Sequence, residues 1–196
     1  MIITEFKAHE FLRDYWQKKP CVIKQFIPDF CDPIDEHDLA GLAQESEVDC
    51  RIVSKRVPKR AAKKASKNAS KGPFKQAPQQ DGHTWHVAQG PFESFDVHCQ
   101  GDWSLLVQGV DRYIPEIDEL AKRVDFIPNW RFDDVMVSYS VPQAGVGAHT
   151  DEYDVFIIQG KGSRRWQVGL PSNEPSTSLL PHPLLKQIEA FTPCID

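Results

Sequence analysis

The sequence contains no run of the roughly 18–20 apolar residues that crossing a membrane requires. Its first residues also lack the basic region followed by an apolar stretch that marks a secretory signal. We therefore expect a cytoplasmic protein. The 196 residues are 40% hydrophobic and 26% charged, which is typical of a globular chain that is long enough to bury a packed core.

Cysteine motifs are missing as well. The five cysteines show no C-x-x-C spacing, which excludes a zinc ribbon, and their odd number argues against a disulfide framework. We expect free thiols, most of them packed in the interior: Cys21, Cys31, Cys50, Cys99 and Cys194.

Acidic residues are absent from one segment, although they outnumber basic residues in the whole chain. Residues 55–75 hold nine Lys or Arg side chains and no acid, whereas the rest of the chain has 14 basic against 28 acidic residues. Residues 55–80 offer little apolar mass, so we predict a disordered insertion between two strands. It is either a solvated loop without a partner or an arm, Lys55 to Lys75, that contacts RNA phosphates. The lone aromatic residue, Phe74, gives little scope for stacking on bases.

The spacing of apolar residues predicts helices in the first two thirds of the chain and closely spaced strands after them. Helical periodicity predicts helices over residues 5–19, 35–43 and 115–124. Apolar runs between Gly and Pro predict strands over residues 21–26, 103–108, 134–140, 154–159 and 164–168. This order predicts an α+β chain with an antiparallel sandwich or barrel.

His149 and Asp151 give the sharpest chemical signal. One residue separates them, so on an extended strand both side chains point to the same face. An imidazole and a carboxylate on one face supply two of the three ligands of the 2-His-1-carboxylate sites that hold Fe(II). Taken alone the pattern is weak, because it is common by chance and also fits an exposed strand end.

Two further residues suit a dicarboxylate co-substrate. Arg164 lies one predicted strand after the metal pair, where alternation places it and Trp166 on one face and Arg165 on the other. A guanidinium that projects into the same barrel can bind the distal carboxylate of 2-oxoglutarate with two parallel hydrogen bonds. Ser138, on the strand before the pair, can add a hydroxyl hydrogen bond. For both residues the alternative is an ordinary surface position.

The order of these motifs resembles the JmjC-type cupin oxygenases. It is more closely similar to the bacterial ribosomal oxygenases, which hydroxylate an arginine in a large-subunit ribosomal protein. The resemblance rests on the runs at residues 138–151, 153–160 and 164–169, with further matches at residues 15–20, 39–49 and 90–95. It covers nearly the whole chain outside residues 55–80.

The resemblance implies an architecture of N-terminal helices followed by a double-stranded β-helix, or cupin barrel. Residues 1–54 would form the N-terminal helical and strand part, residues 55–80 the basic insertion, and residues 81–196 the barrel. The barrel would be incomplete, because the family continues beyond the point where this sequence ends.

The resemblance also implies a chemistry. Fe(II) would be the metal, bound by His149 and Asp151, and 2-oxoglutarate would be the co-substrate, bound by Arg164 and Ser138. The substrate would be a ribosomal protein, and the acidic body of the chain suits such a basic partner.

The sequence departs from the family at its C-terminal end. The family's third metal ligand is a His on a later strand, after a Pro-Gly-Asp turn, and neither is present. His182 is the only later histidine, and its Pro-His-Pro turn resembles a family segment that does not bind metal. The family's dimerisation and winged-helix regions are missing too. We therefore expect a truncated member that is inactive as an isolated chain.

A second functional class stays open on the residues alone. The chain could be a non-catalytic cupin binding module, or it could contact RNA or the ribosome through its basic arm. A Pro-Gly-Asp and His motif encoded downstream of codon 196, in frame or shifted, would favour the truncated enzyme over both alternatives.

Overall fold

The computed structural model describes residues 1–56, 84–169, 186–187 and 191–196. Most of the predicted insertion lies outside these described residues, as does His182. The described helices are α1 (Ala8–Asp14), α2 (Glu36–Leu42) and α3 (Pro115–Ala121). The described strands are β1 (Ile2–Ile3), β2 (Val22–Ile23), β3 (Cys50–Arg56), β4 (Thr84–Gln89), β5 (Asp102–Val107), β6 (Val137–Ser140), β7 (His149–Thr150), β8 (Val168–Gly169), β9 (Lys186–Gln187) and β10 (Pro193–Ile195). None of the described helices is long and apolar enough to cross a membrane.

The ends of α2 and α3 follow from their sequences. The Asp35 side chain accepts hydrogen bonds from the backbone amides of His37 and Asp38, and the Asp38 side chain accepts one from the Asp35 amide. This reciprocal capping satisfies amides that have no partner inside the helix. Helix α3 begins with Pro115, whose missing N–H is not needed in the first turn.

The main sheet has four antiparallel strands in the order β4-β3-β5-β6. Strand β3 pairs with β4 on one edge and with β5 on the other, so neither of its edges is free. The remaining strands form two-stranded pairs, β1 with β2, β7 with β9, and β8 with β10. The fold is thus a mixture of helices and sheet, in agreement with the predicted class.

One face of the main sheet, the core face, packs against α2 and α3. Its buried side chains are each no more than 3% exposed: Leu39, Cys50, Ile52, Leu105, Val107 and Ile117. Burial of this apolar surface is the main stabilising term of the described fold.

Alternation turns the intervening side chains to the opposite face, which we name the Arg51 face. Its members on β3, β5 and β6 are Arg51, Val53, Ser104, Leu106, Ser138 and Ser140. Arg51 lies directly opposite Leu106, and Leu106 lies opposite Ser138, so these three side chains form one row. The buried side chains of Val53 and Leu106 pack against Val146, which precedes β7. The loop before β7 therefore covers part of this face.

A cluster of aromatic rings ties the N-terminal segment to later parts of the chain. It consists of Phe6, Phe11, Phe26, Phe126 and Phe156. The ring of Phe156 lies 5.8 Å from that of Phe11. Nearby, the backbone amide of Lys161 donates a hydrogen bond of 2.7 Å to Asp32. These contacts hold residues 156–161 against the N-terminal part of the chain.

Residues 154–159 and 164–168 do not form the strands that their apolar runs predict, apart from Val168 in β8. A strand requires hydrogen bonds from a neighbour, and no described strand pairs with the remainder of either segment. Instead, the ring of Phe156 attaches residues 154–159 to the aromatic cluster through its contacts with Phe11 and Phe126. Val155 and Ile157 on either side of it stay 51% and 50% exposed.

The helix predictions are met to different degrees. Those over residues 35–43 and 115–124 are confirmed by α2 and α3. The helix predicted over residues 5–19 is shorter, because α1 ends at Asp14. Three residues later Gln17 has a φ of 56°, a left-handed conformation that cannot continue a right-handed helix.

Among the other predictions, the strand over residues 103–108 is confirmed by β5. The strands predicted over residues 21–26 and 134–140 are reduced to β2 and β6. All five cysteines are free, as predicted, but Cys31 and Cys194 are exposed rather than packed.

Two carboxylates cross-link the segments that lead into α3 and β6. Asp134 accepts a hydrogen bond of 2.8 Å from the amide of Gly109, and Asp111 accepts one of 2.7 Å from the amide of Val135. Burial raises the pKa of Asp134 above its ordinary value; the Gly109 hydrogen bond opposes this rise, and the charges of Asp133 and Asp111 add to it. The folded protein therefore binds a proton at Asp134 more tightly than the unfolded chain does.

We predict that the effect of Asp134→Asn on stability depends on pH. Because the pKa of Asp134 is raised by folding, the ionised carboxylate opposes folding above that pKa. The variant should therefore exceed the wild type in free energy of unfolding, and this difference should be largest at neutral pH. The difference should shrink as the pH falls through the raised pKa toward 3.8. Urea unfolding at neutral and acidic pH measures it, and a difference independent of pH would contradict the argument.

We predict that Ile52→Ala lowers the free energy of unfolding by about 2–5 kcal/mol, since it removes buried methyl groups and leaves a cavity in the core. Ile52 is 1% exposed. The matched control is Ile157→Ala, because Ile157 is 50% exposed and its truncation should change the free energy by no more than about 0.5 kcal/mol. Denaturant titration compares the two variants, and equal losses would show that the core face is not where the stability resides.

Candidate metal centre

The chain approaches the candidate centre through the loop between β6 and β7. The amide of Ala144 donates a hydrogen bond of 3.0 Å to the carbonyl of Val141, which closes a turn. Gly147 has a φ of 80°, which favours glycine because a side chain there would be strained. Val146 packs on the Arg51 face. The loop thus anchors the start of β7 over that face of the main sheet.

Gly147 also fixes the orientation of His149. Its carbonyl oxygen lies 2.9 Å from Nδ1 of the imidazole. When Nδ1–H donates to a carbonyl, the lone pair lies on Nε2, which is the usual arrangement in a metal-binding histidine. The side chain of His149 is 25% exposed, so Nε2 is held in place but remains accessible.

Asp151 supplies a second donor atom beside His149. Its Oδ2 lies 3.7 Å from Nε2 of His149. Two atoms that each bind one metal ion at about 2.1 Å can be at most about 4.2 Å apart, so a single ion can reach both. The structure therefore brings the two side chains together on one side, as the alternation predicts, and the nitrogen and carboxylate donors fit Fe(II).

Within the part of the chain that the structure describes, no group of three or more His, Cys, Asp or Glu side chains is placed to hold a metal ion. Among the described residues the candidate metal site therefore consists of two side chains, His149 and Asp151. His182, which we predict is not a metal ligand, lies outside the described residues.

Tyr153 follows the candidate pair by two positions and is 67% exposed. Burial of part of its side chain raises the pKa of Tyr153, the charges of Asp151 and Asp134 raise it further, and the guanidinium of Arg51 opposes them.

Ser138 occupies a position that is compatible with its predicted role. It is exposed on β6, on the Arg51 face, in one row with Leu106 and Arg51. In the adjacent row the hydroxyls of Ser104 and Ser140 are hydrogen-bonded at 2.7 Å. The face below the loop before β7 therefore presents several hydroxyl groups.

The strand predicted around Arg164 is absent, and the role of Arg164 in binding 2-oxoglutarate stays a prediction. Residues 164–166 are not in a strand, so alternation does not set the direction of their side chains. Arg164 is exposed, and its guanidinium carbon lies 5.7 Å from the centre of the Trp166 ring. Its neighbour Arg165 forms an ion pair with Asp196. The structure thus brings together His149 and Asp151, with Ser138 on the sheet beneath their loop, while Arg164 contacts Trp166.

The structure adds residues that the sequence reasoning did not single out. Arg51 is a buried cation on the central strand, and Ser104 and Ser140 form a hydroxyl pair on the same face. Arg51 has little local signal in the sequence, because polar residues also stand nearby at Asp49 and Ser54. The hydroxyl pair gives no local signal, because it depends on the pairing of β5 with β6.

Comparison with known proteins adds independent information. A family model for the JmjC domain matches residues 119–196. The ribosomal protein uL16 3-hydroxylase of Escherichia coli (strain K12) is 43% identical over 187 residues, which cover 95% of this chain and 43% of that protein. A probable ribosomal oxygenase of Haemophilus influenzae is 39% identical over 160 residues, covering 81% of this chain and 34% of the relative.

Solved structures from E. coli are also similar to this chain. An X-ray structure of E. coli ycfD superposes with a TM-score of 0.78 at 41% identity, covering 98% of this chain and 45% of that one. A structure of YcfD, a ribosomal oxygenase from E. coli, in complex with cobalt and 2-oxoglutarate has a TM-score of 0.70 at 40% identity, covering 99% of this chain and 43% of that one. The chain is therefore a JmjC-domain homologue of the bacterial ribosomal oxygenases, and it spans less than half of their length.

Proposed function

We propose that this chain carries the metal-binding element of an Fe(II)- and 2-oxoglutarate-dependent protein hydroxylase. The observation that supports this most directly is the pairing of Nε2 of His149 with the carboxylate of Asp151 at 3.7 Å, with Nδ1 held by Gly147. A pre-oriented imidazole beside a carboxylate is the part of a facial triad that a single short segment can supply.

Each residue has a separate task in this proposal. Gly147 holds the imidazole so that Nε2 points at the metal, and Asp151 adds a negatively charged ligand. Ser138 and Arg164 bind the distal carboxylate of 2-oxoglutarate. Fe(II) with 2-oxoglutarate and oxygen supplies the oxidising power for hydroxylation when bound.

The proposed substrate is a ribosomal protein that presents an arginine. Outside residues 55–75 the chain carries 28 acidic against 14 basic residues, so its field attracts a basic partner. Besides burial, the charges of Asp151, Asp134 and Asp133 raise the pKa of Tyr153, which agrees with an acidic surrounding of that residue. The E. coli relative acts on ribosomal protein uL16, and a substrate of that class implies a cytoplasmic location.

We predict that His149→Ala and Asp151→Ala each remove most of the Mn(II) binding of the chain, with Mn(II) standing for Fe(II). Loss of an outer partner of a metal ligand already weakens binding by about 10–100-fold, and loss of the ligand itself should weaken it at least as much. Electron paramagnetic resonance of free Mn(II) measures the affinity.

The matched controls for this test are His37→Ala and Asp154→Ala, which remove an exposed histidine and an exposed aspartate outside the pair. They should bind Mn(II) like the wild type. Unchanged affinity in both site variants would contradict the metal assignment and would favour a non-catalytic binding module.

We predict that Arg164→Ala weakens 2-oxoglutarate binding to the Mn(II)-loaded chain by roughly ten- to a hundredfold, since a charged bidentate contact contributes about 1.5–3 kcal/mol. The matched control is Arg165→Ala, because Arg165 pairs with Asp196 instead. Isothermal titration calorimetry gives both affinities. An equal loss in the two variants would indicate a general effect of positive charge rather than a specific contact.

A further inference from the structure

Arg51 is the one arginine of the main sheet that is both buried and unpaired among the described residues. Its residue is 7% exposed, and its Nε and Nη1 atoms have no hydrogen-bond partner there. It also takes part in none of the ion pairs found within the described part of the chain. Among the described residues, therefore, two of its three guanidinium nitrogens have no hydrogen-bond partner and the side chain has no counter-ion.

A buried guanidinium without acceptors or a counter-ion is unfavourable unless a ligand supplies them. Arginine stays protonated in proteins, so burial cannot neutralise it as it can a lysine. A buried charge without hydrogen bonds or a counter-ion opposes folding strongly. An apolar residue would be more favourable at this position of a central strand, so a guanidinium there suits a ligand that supplies the charge and the acceptors.

The register of the sheet shows which way Arg51 projects. It shares a row with Leu106 and Ser138, and Leu106 packs against Val146 of the loop that leads to His149. The side chain of Arg51 therefore extends on the face that this loop covers, rather than toward the core.

The same face supplies hydroxyl groups that suit an anion. Ser138 lies in the row of Arg51, and the Ser104–Ser140 pair lies in the next row. A guanidinium fork with neighbouring hydroxyls matches the planar, two-oxygen shape of a carboxylate.

We propose that Arg51 is an anion-binding residue of the metal chamber, and that it binds the same carboxylate of a 2-oxoglutarate-like dicarboxylate as Ser138. The proposal rests on the metal and co-substrate assignment above and adds a second cation to it. Arg51 acts from the central strand, whereas Arg164 approaches from a segment that is outside the sheet. The bound carboxylate supplies the counter-ion that Arg51 otherwise lacks.

The test compares Arg51→Met and Arg51→Lys with the wild type as full chains loaded with Mn(II). Calorimetry with 2-oxoglutarate and with succinate should show affinities reduced ten- to a hundredfold in Arg51→Met and less in Arg51→Lys, which keeps the charge but loses the fork. Mn(II) affinity should not change. Without ligand, Arg51→Met should be at least as stable as the wild type, because it removes an uncompensated buried charge. Arg123→Met, at an exposed arginine, is the matched control and should behave as the wild type.

Several outcomes would overturn the proposal. If Arg51→Met destabilises the ligand-free chain and leaves dicarboxylate affinity unchanged, Arg51 is a structural cation, and the proposed function still stands. If the wild type binds Mn(II) but no dicarboxylate, the carboxylate role of Arg51 is wrong while the metal pair survives. If it binds neither, both proposals fail. Inorganic phosphate that binds as tightly as succinate would rule out a site built for a carboxylate.

Discussion

Hydrogen bonds along both edges of β3 hold β4 and β5 in register, and the division of the molecule into two faces depends on them. Because alternation is strict, a slip of one residue would exchange Ile52 for Arg51 on the core face. The apolar burial of Ile52 and its neighbours specifies the register, and the register in turn places the row from Arg51 to Ser138 beneath the loop of the metal pair. Core packing and site geometry are thus two results of one set of strand pairings.

Charge is distributed unequally across this framework. Asp134 is a partly buried acid whose proton affinity is raised mainly by burial, even though the Gly109 amide stabilises its charged form. Arg51 is a buried base that has no such compensation among the described residues. Besides burial, which is the main cause of the raised pKa of Tyr153, the charge of Asp134 raises that pKa and the charge of Arg51 lowers it. Partly buried charges of this kind are common where a protein is arranged for a ligand rather than for stability.

The parts of the structure that could be predicted from the sequence are those that local rules determine. His149 and Asp151 are two residues apart in extended backbone, so alternation alone brings them together. Helix α2 was predictable for the same reason, since Asp35 and Asp38 carry its capping signal within four residues. The surroundings of Arg51 could not be predicted locally, because they depend on which strands flank it and which loop lies above it. That information is spread over about 100 residues of sequence. The apolar run at residues 154–159 predicts burial correctly only at Phe156, because strand formation depends on a partner that the run itself does not specify.

The contact between Lys161 and Asp32 has a consequence for the order in which the protein folds. The two residues are 129 positions apart, so at a synthesis rate of about 5–20 residues per second the second partner emerges roughly 6–26 s after the first. Phe156 follows Phe11 by 145 positions, so its contact with the ring of Phe11 takes longer still to form. Phe126, which precedes β6, contacts Phe6, Phe11 and Phe26, so the N-terminal segment can attach to the chain before residues 156–161 emerge. The contacts of residues 156–161 are then added late in biosynthesis and complete this attachment.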